Sequence, residues 1–189
     1  KAAESDAKKT SIAELRTMRA MCYFMMMDLW GNVPVTTQFG DTTTAKTTAR
    51  ADVFKFIEKE LNESIPTLSE TVGQETYGRP TKFTAYAILA KMYLNAEVYT
   101  GTARWNDAIA ACDKIISSGQ YNLAADYFSL FNDNNHNNRE LIFAVDQRAD
   151  LNGHNRMGYF SISGDQFPLP AFTGANGTDG PGITSDFYR

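Results

Sequence analysis

The sequence predicts a mainly α fold, an irregular tetratricopeptide-like scaffold of helical repeats with long loops and few short strands. Three observations carry this. Apolar residues recur at the 3.6-residue helical period through much of residues 11–119. Clusters of glycine, proline and threonine separate the periodic stretches, where a β fold would show alternation. One adjacent pair of stretches also places small and aromatic residues at tetratricopeptide spacing.

The first helix is expected from Ser11, with Ser11 and Glu14 in capping-box spacing and Ile12, Leu15, Met18, Cys22, Met25, Met26 and Leu29 forming its inward stripe. Met25, Met26 and Met27 in succession make its end apolar on all sides, which suits a central helix. Gly31, then Asn32-Val33-Pro34-Val35, ends it in extended geometry. Residues 36–50, rich in threonine, read as a surface loop. A second helix begins near Arg50 or Ala51, buries Val53, Phe54, Ile57 and Leu61, and ends before Pro66. Residues 68–78 read as a loop.

A third helix follows Arg79-Pro80-Thr81 and presents Phe83, Tyr86, Ala87, Ala90, Tyr93 and Leu94 on one broad face. A fourth runs over residues 104–118 with Trp105, Ala108, Ile109, Cys112, Ile115 and Ile116 inward, closed by Gly119. Ala96 and Tyr99, then Trp105 and Ala108 after the turn, fit one tetratricopeptide unit, in which small residues let helices cross and aromatics fill the wedge. Shifted back by about 34 residues, the pattern lands on Ile65 and Gln74 and fails, so the array is irregular.

Beyond Gly119 the character changes. Residues 120–123 read as a short extended piece, and Tyr127, Phe128, Leu130 and Phe131 as a short aromatic helix or turn. Glu140-Leu141-Ile142-Phe143-Ala144-Val145 is the one apolar run that reads as a strand. From Asp146, Gly, Asn, Ser and Pro dominate, interspersed with aromatics.

Composition bounds the function. With 189 residues, 43% hydrophobic and 21% charged, the chain can bury a core. Its 18 basic and 22 acidic residues are scattered, giving −4 overall, which argues against a basic nucleic-acid face. The richest apolar run, residues 18–30, is interrupted by Arg19 and Asp28, so no segment spans a bilayer. The chain opens on Lys1 without a signal peptide and stops abruptly at Arg189, and is read as a fragment or processed form. Cys22 and Cys112 are read as buried free thiols.

Tests for catalytic and metal chemistry come back empty. Gly174, Gly177, Gly180 and Gly182 lack a following Lys-Ser or Lys-Thr, so they are turns and no phosphate cradle. His136 and His154 have no helical partner, two isolated cysteines make no zinc set, and the loop at residues 133–138 lacks the glycine and acidic positions of a calcium loop. No metal or other cofactor is expected. Ser161-Ile162-Ser163-Gly164 is no nucleophile elbow. The tail does combine aromatic faces with amide and guanidinium donors, the combination sugar recognition uses: Tyr159, Phe160 and Phe172 for stacking, and Asn152, Asn155, Arg156 and Gln166 for hydrogen bonds.

Several motifs in order resemble the SusD/RagB family of outer-membrane nutrient-binding lipoproteins. They are Leu15-Arg16-x-x-Arg19-Ala20-x-x-Tyr23-Phe24, Asp28-Leu29-Trp30-Gly31-Asn32-Val33-Pro34, Val53-Phe54-x-Phe56-Ile57-x-x-Glu60-Leu61 and Gly78-Arg79-Pro80-Thr81-Lys82. Trp105-x-x-Ala108-Ile109, Ile116-x-x-Gly119-x-Tyr121-x-Leu123, Tyr127-x-x-Leu130-Phe131 and Glu140-Leu141-Ile142-Phe143 follow. The resemblance implies a non-catalytic surface protein, held at the outer membrane by a lipid anchor absent from this sequence. It would capture a glycan and deliver it to a SusC-like TonB-dependent transporter. Peptide uptake, a helical-repeat interaction scaffold and a hydrolase with catalytic residues outside the chain are the alternatives. Residues 1–189 would be part of one such domain, with a helical core at 11–119, a short helix and strand at 120–145 and a loop-rich segment at 146–189. Arg19, Asp28, Gly31, Pro34, Arg79 and Pro80 read as fold determinants, and Trp30 as packing.

Overall fold

In a computed structural model that describes residues 5–132 and 135–146, helix α1 spans Asp6–Trp30. It starts at Asp6 and not at Ser11, because Ser5 supplies the cap: its hydroxyl accepts a hydrogen bond from the Lys8 amide at 3.3 Å. Gly31 ends the helix at φ +74°, as expected. Strand β1 (Val33–Pro34) then pairs antiparallel with β2 (Thr47–Thr48), which clamps the threonine-rich loop at its base. Helix α2 (Arg50–Ser64) buries Val53, Phe54, Ile57 and Leu61, and folds back on α1.

Helix α3 (Lys82–Leu94) is capped by Thr81 and Thr84, each hydroxyl accepting from the other's amide. Asn95 interrupts it, and α4 (Ala96–Thr100) continues to Gly101. Helix α5 (Trp105–Ile116) lies along α3. The array is therefore two antiparallel pairs, α1 with α2 and α3 with α5, joined by lesser contacts of α3 and α4 with α2. Ala96, Tyr99 and Ala108 of the one tetratricopeptide unit are buried as the spacing predicts, but its other aromatic, Trp105, is half exposed and fills no wedge. The described residues up to Ala144 belong to one compact unit. Among the described residues, no helix is long and apolar enough to cross a membrane.

The packed faces differ from expectation. On α1 the buried residues are Ala13, Thr17, Ala20 and Met27, which are mostly small and let α2 approach closely. Thr17 lies there without cost because its hydroxyl donates to the Ala13 carbonyl at 2.9 Å. Most of the expected stripe lies on the opposite side: Leu15 is 71% exposed, and Ile12, Cys22, Met25 and Leu29 are exposed too, while Met18 is half-buried and Met26 packs against the core. Trp30, read as packing, is 68% exposed. On α5, Ala108 and Ala111 are buried, whereas Trp105, Ile109, Cys112 and Ile116 face outward. Both cysteines are thus exposed free thiols, not buried ones. On α3 the core residues are Phe83, Ala85, Ile88, Leu89, Met92 and Tyr93, and Leu94 is exposed. The run Glu140-Leu141-Ile142-Phe143-Ala144-Val145 forms no strand, since none of the described residues offers it a ladder partner. Tyr127–Phe131 is a 3-10 turn, as the aromatic spacing suggests.

Polar contacts hold the pairs in register and give the motif residues their work. Glu60 on α2 is buried and receives two guanidinium groups from α1: Arg16 at 3.1 and 2.7 Å on one oxygen, and Arg19 from Nε at 2.9 Å and from Nη2 on the other. Burial would raise its pKa, but the two arginines outweigh burial and hold it below the ordinary value. Asp28 accepts from the Tyr99 hydroxyl at 2.6 Å. Burial, then that bond, push the tyrosine up to about 12. Arg50 stacks over the Tyr99 ring at 5.7 Å and lies so close to Gly31 that a Cβ there would sit 3.0 Å from Nη2. Glu58 accepts from Tyr93 at 2.8 Å and from Arg104 at 3.1 Å, and Arg104 covers the Tyr93 ring at 4.6 Å.

Candidate ligand-binding cleft

The chain between α2 and α3 makes one wall of a cleft of about 390 Å3, and the segments at residues 119–121 and 136–144 make the other. The first wall is rigidified locally. The Thr76 hydroxyl accepts from the Gly73 amide at 3.1 Å around a 3-10 turn at Gln74–Thr76. Gly78, at φ +72°, turns the chain into Arg79. Arg79 pairs with Glu14 of α1 at 2.9 Å, and Pro80 behind it is buried, so the wall is fixed to the helical array.

The second wall leaves α5 through Gly119, at φ +66°. Gln120 crosses the base of the cleft and donates through Nε2 to the Glu70 carbonyl at 2.8 Å. Asn122 donates its amide to the Arg139 carbonyl at 3.3 Å, and Ala124 donates to the Glu140 carboxylate at 2.8 Å. Asn138 shapes the return: its Oδ1 accepts from the Glu140 amide at 2.9 Å.

Tyr121 stands where the walls meet. Its ring meets Phe83 of α3 edge-on, with centroids 5.5 Å apart. Its hydroxyl is buried and has no hydrogen-bond partner among the described residues. Burial pushes the phenol pKa up, and the neighbouring Thr81 hydroxyl, short of a normal hydrogen bond, pulls it back in part. A buried phenol without a partner costs about 1–3 kcal/mol. Tyr77, Gln74, Arg79, Asn138 and Arg139 line the same space. The arrangement offers aromatic surface beside amide and guanidinium donors, chemistry suited to a neutral, hydroxyl-rich ligand. No group of three or more metal-ligating side chains occurs among the described residues.

The seven candidate residues Asn152, Asn155, Arg156, Tyr159, Phe160, Gln166 and Phe172 lie outside the described residues. The cleft residues were visible only as fold motifs, in Gly78-Arg79-Pro80-Thr81 and Gly119-x-Tyr121. Their convergence depends on how two loops pack, which local sequence does not encode. Aromatic side chains also stand in solvent elsewhere, with Phe39 fully exposed on the loop between β1 and β2, and Tyr127, Phe128 and Phe131 clustered on the 3-10 turn.

Comparison with known proteins places this geometry in context. Residues 2–94 match the SusD-like family model described as starch-binding associating with outer membrane. A SusD-like protein of Bacteroides ovatus is 35% identical over 150 residues, covering 75% of this chain and 27% of that protein. The starch-binding protein SusD of Bacteroides thetaiotaomicron is 33% identical over 139 residues, covering 71% of this chain and 25% of that protein. Among solved structures, surface glycan-binding protein A of Bacteroides thetaiotaomicron, in complex with laminarihexaose, superimposes with a TM-score of 0.65 at 26% identity, covering 78% of this chain and 30% of that one. The chain thus spans about a quarter of the length of the two curated relatives.

Proposed function

The chain belongs to the SusD-like family, and from that premise we propose that it serves a non-catalytic glycan-binding protein at the outer-membrane surface, which captures oligo- or polysaccharide and delivers it to a SusC-like TonB-dependent transporter. Residues 1–189 form part of a single binding domain in this reading, and a lipid anchor outside this sequence holds the protein at the membrane. The observation that carries it is the likeness to surface glycan-binding protein A, which was solved in complex with laminarihexaose and superimposes with a TM-score of 0.65. The cleft adds chemistry that fits: Tyr77 and Tyr121 offer ring surface, and Asn138 and Arg139 can donate to sugar hydroxyls.

Capture then works by exchange. A sugar ring loses water from its apolar face against an aromatic ring, while its hydroxyls replace that water with fixed donors. No bond is made or broken, so the ligand leaves unchanged for transport. Asn152, Asn155, Arg156, Tyr159, Phe160, Gln166 and Phe172 are proposed as further ligand contacts on the loop-rich segment. Calorimetric titration against a broad oligosaccharide panel tests the reading, with saturable binding of at least one glycan expected. Silence across the panel with binding of a peptide pool would transfer the ligand class to peptide, and sustained cleavage of a bound glycan would overturn the non-catalytic claim. Co-purification with the transporter tests delivery separately.

A further inference from the structure

We propose that the cleft takes an anionic glycan, one whose sugars carry a carboxylate or a sulfate ester, and that Arg139 is the residue that selects it. The proposal rests on the glycan reading above and adds the charge of the ligand to it.

The cleft and the chain differ in the sign of their charge. The chain has 22 acidic residues against 18 basic ones, a net −4. No acidic residue lines the cleft, whereas Arg79, Arg139 and His136 do. The acids around it are engaged elsewhere: Glu14 pairs with Arg79 at 2.9 Å, Glu70 pairs with Lys82 at 2.5 Å, and the Glu140 carboxylate accepts from the Ala124 amide at 2.8 Å. Glu75 lies in sequence between two lining residues, Gln74 and Thr76, without forming part of the wall itself.

The two arginines differ in what they have left to give. Arg79 already has its carboxylate in Glu14, which balances its charge and ties it to α1. Arg139 is exposed and forms no salt bridge among the described residues. Its backbone is nonetheless anchored. The Arg139 carbonyl accepts from the Asn122 amide at 3.3 Å, and the next residue, Glu140, donates its amide to Asn138 Oδ1 at 2.9 Å. A guanidinium without a counter-charge therefore stands on a fixed stretch of chain at the edge of a cleft of about 390 Å3.

A neutral sugar would use the rings of Tyr77 and Tyr121 and the amide of Asn138, and would leave that guanidinium to water. An anionic group on the same sugar answers it. A carboxylate presents two oxygens and a sulfate ester three to the fork of N–H donors, and charge-assisted bonds of this kind are about twice as strong as neutral ones. A cleft walled by one sign of charge also concentrates ligands of the opposite sign before contact.

Calorimetry on the complete gene product compares matched pairs: oligogalacturonate with its methyl ester, and a sulfated carrageenan oligosaccharide with its desulfated form. In at least one pair the anionic member should bind about tenfold tighter at low salt, with the advantage shrinking as salt is raised. Arg139→Gln, which keeps a hydrogen-bond donor but no charge, should bring the two members level, and Arg139→Lys should keep the anionic one ahead. Arg139 is exposed, so the melting midpoint of both variants should stay in place. Equal affinity within both pairs, or tighter binding of the neutral members, would overturn the proposal and leave the glycan reading standing. An advantage that survives Arg139→Gln would overturn the assignment to Arg139. Silence of all four saccharides and of the wider panel, with binding of an acidic peptide, would overturn the proposal and the glycan reading together.

Discussion

Replacing Glu60 by glutamine isolates the charge that joins α1 to α2. The side chain keeps its size and one acceptor oxygen, but two guanidinium groups lose their carboxylate, and one of the positions that accepted from them becomes an NH2 donor. Arg16 retains Glu63 at 2.5 Å, so it is not stranded, whereas Arg19 reaches its carboxylate at Glu60. Charge-assisted hydrogen bonds exceed neutral ones by about 1 kcal/mol each. Arg16 and Arg19 make four such bonds to Glu60, about 4 kcal/mol in all, and halving this for the screening of partly exposed arginines gives a loss of about 2 kcal/mol at neutral pH. The pH dependence follows from the sign of the shift. The folded-state pKa of Glu60 lies below its ordinary value of 4.5, so its stabilisation is whole above that value and drains away as pH falls through the folded pKa. Urea denaturation of the native and Glu60→Gln chains at neutral pH and again well below 4.5 measures this. The gap should close in acid, where a protonated Glu60 and a glutamine are both neutral. A gap of equal size at both pH values would show that the contact acts through shape rather than charge and would refute the reasoning.

Tyr121→Phe removes the unpartnered buried hydroxyl, so thermal melting should show a chain at least as stable, by about 1 kcal/mol. Arg139→Ala removes a guanidinium donor from the cleft, and calorimetry should show glycan affinity about tenfold weaker, whereas unchanged affinity would remove the cleft from the binding site. Gly31→Ala places a Cβ at φ +74° and 3.0 Å from Arg50 Nη2, for an expected loss of about 1–2 kcal/mol in denaturant melts. Ala85→Leu adds volume at a fully buried position of α3 and should cost about 1–3 kcal/mol, whereas a neutral result would show slack in that packing.

Helix order and stops were legible because they rest on local signals, whereas the break at Asn95 that makes α4 a fifth, separate helix was not. Gly31, Thr81 and Gly119 sit where the sequence places them, and Ala96, Tyr99 and Ala108 pack as their spacing says. The side of each helix that packs was not legible. On α1 the large apolar residues mark the stripe that periodicity finds, yet the small residues opposite it determine where α2 approaches. Cys22 and Cys112 were misplaced for the same reason, each lying in an apolar stripe that the described residues leave open. The run from Glu140 to Val145 has strand-like composition, but a strand needs a neighbour that composition does not supply. The cleft escaped because Tyr121, Arg79 and Asn138 come from three separate stretches brought together by loops.

Two contacts join the pairs across long stretches of chain. Tyr99 reaches Asp28 over 71 residues, and Arg79 reaches Glu14 over 65. The Glu60 contacts with Arg16 and Arg19 span only 44 and 41. During synthesis this sets an order of events. Once residue 64 has emerged, α1 and α2 have every group they need to dock on each other. Glu14 and Asp28 then project from a formed hairpin as acids still waiting for their partners, Arg79 and Tyr99. Docking of the second pair closes both latches, so the newborn chain matures from its N-terminal end and locks last at the sites farthest apart in sequence.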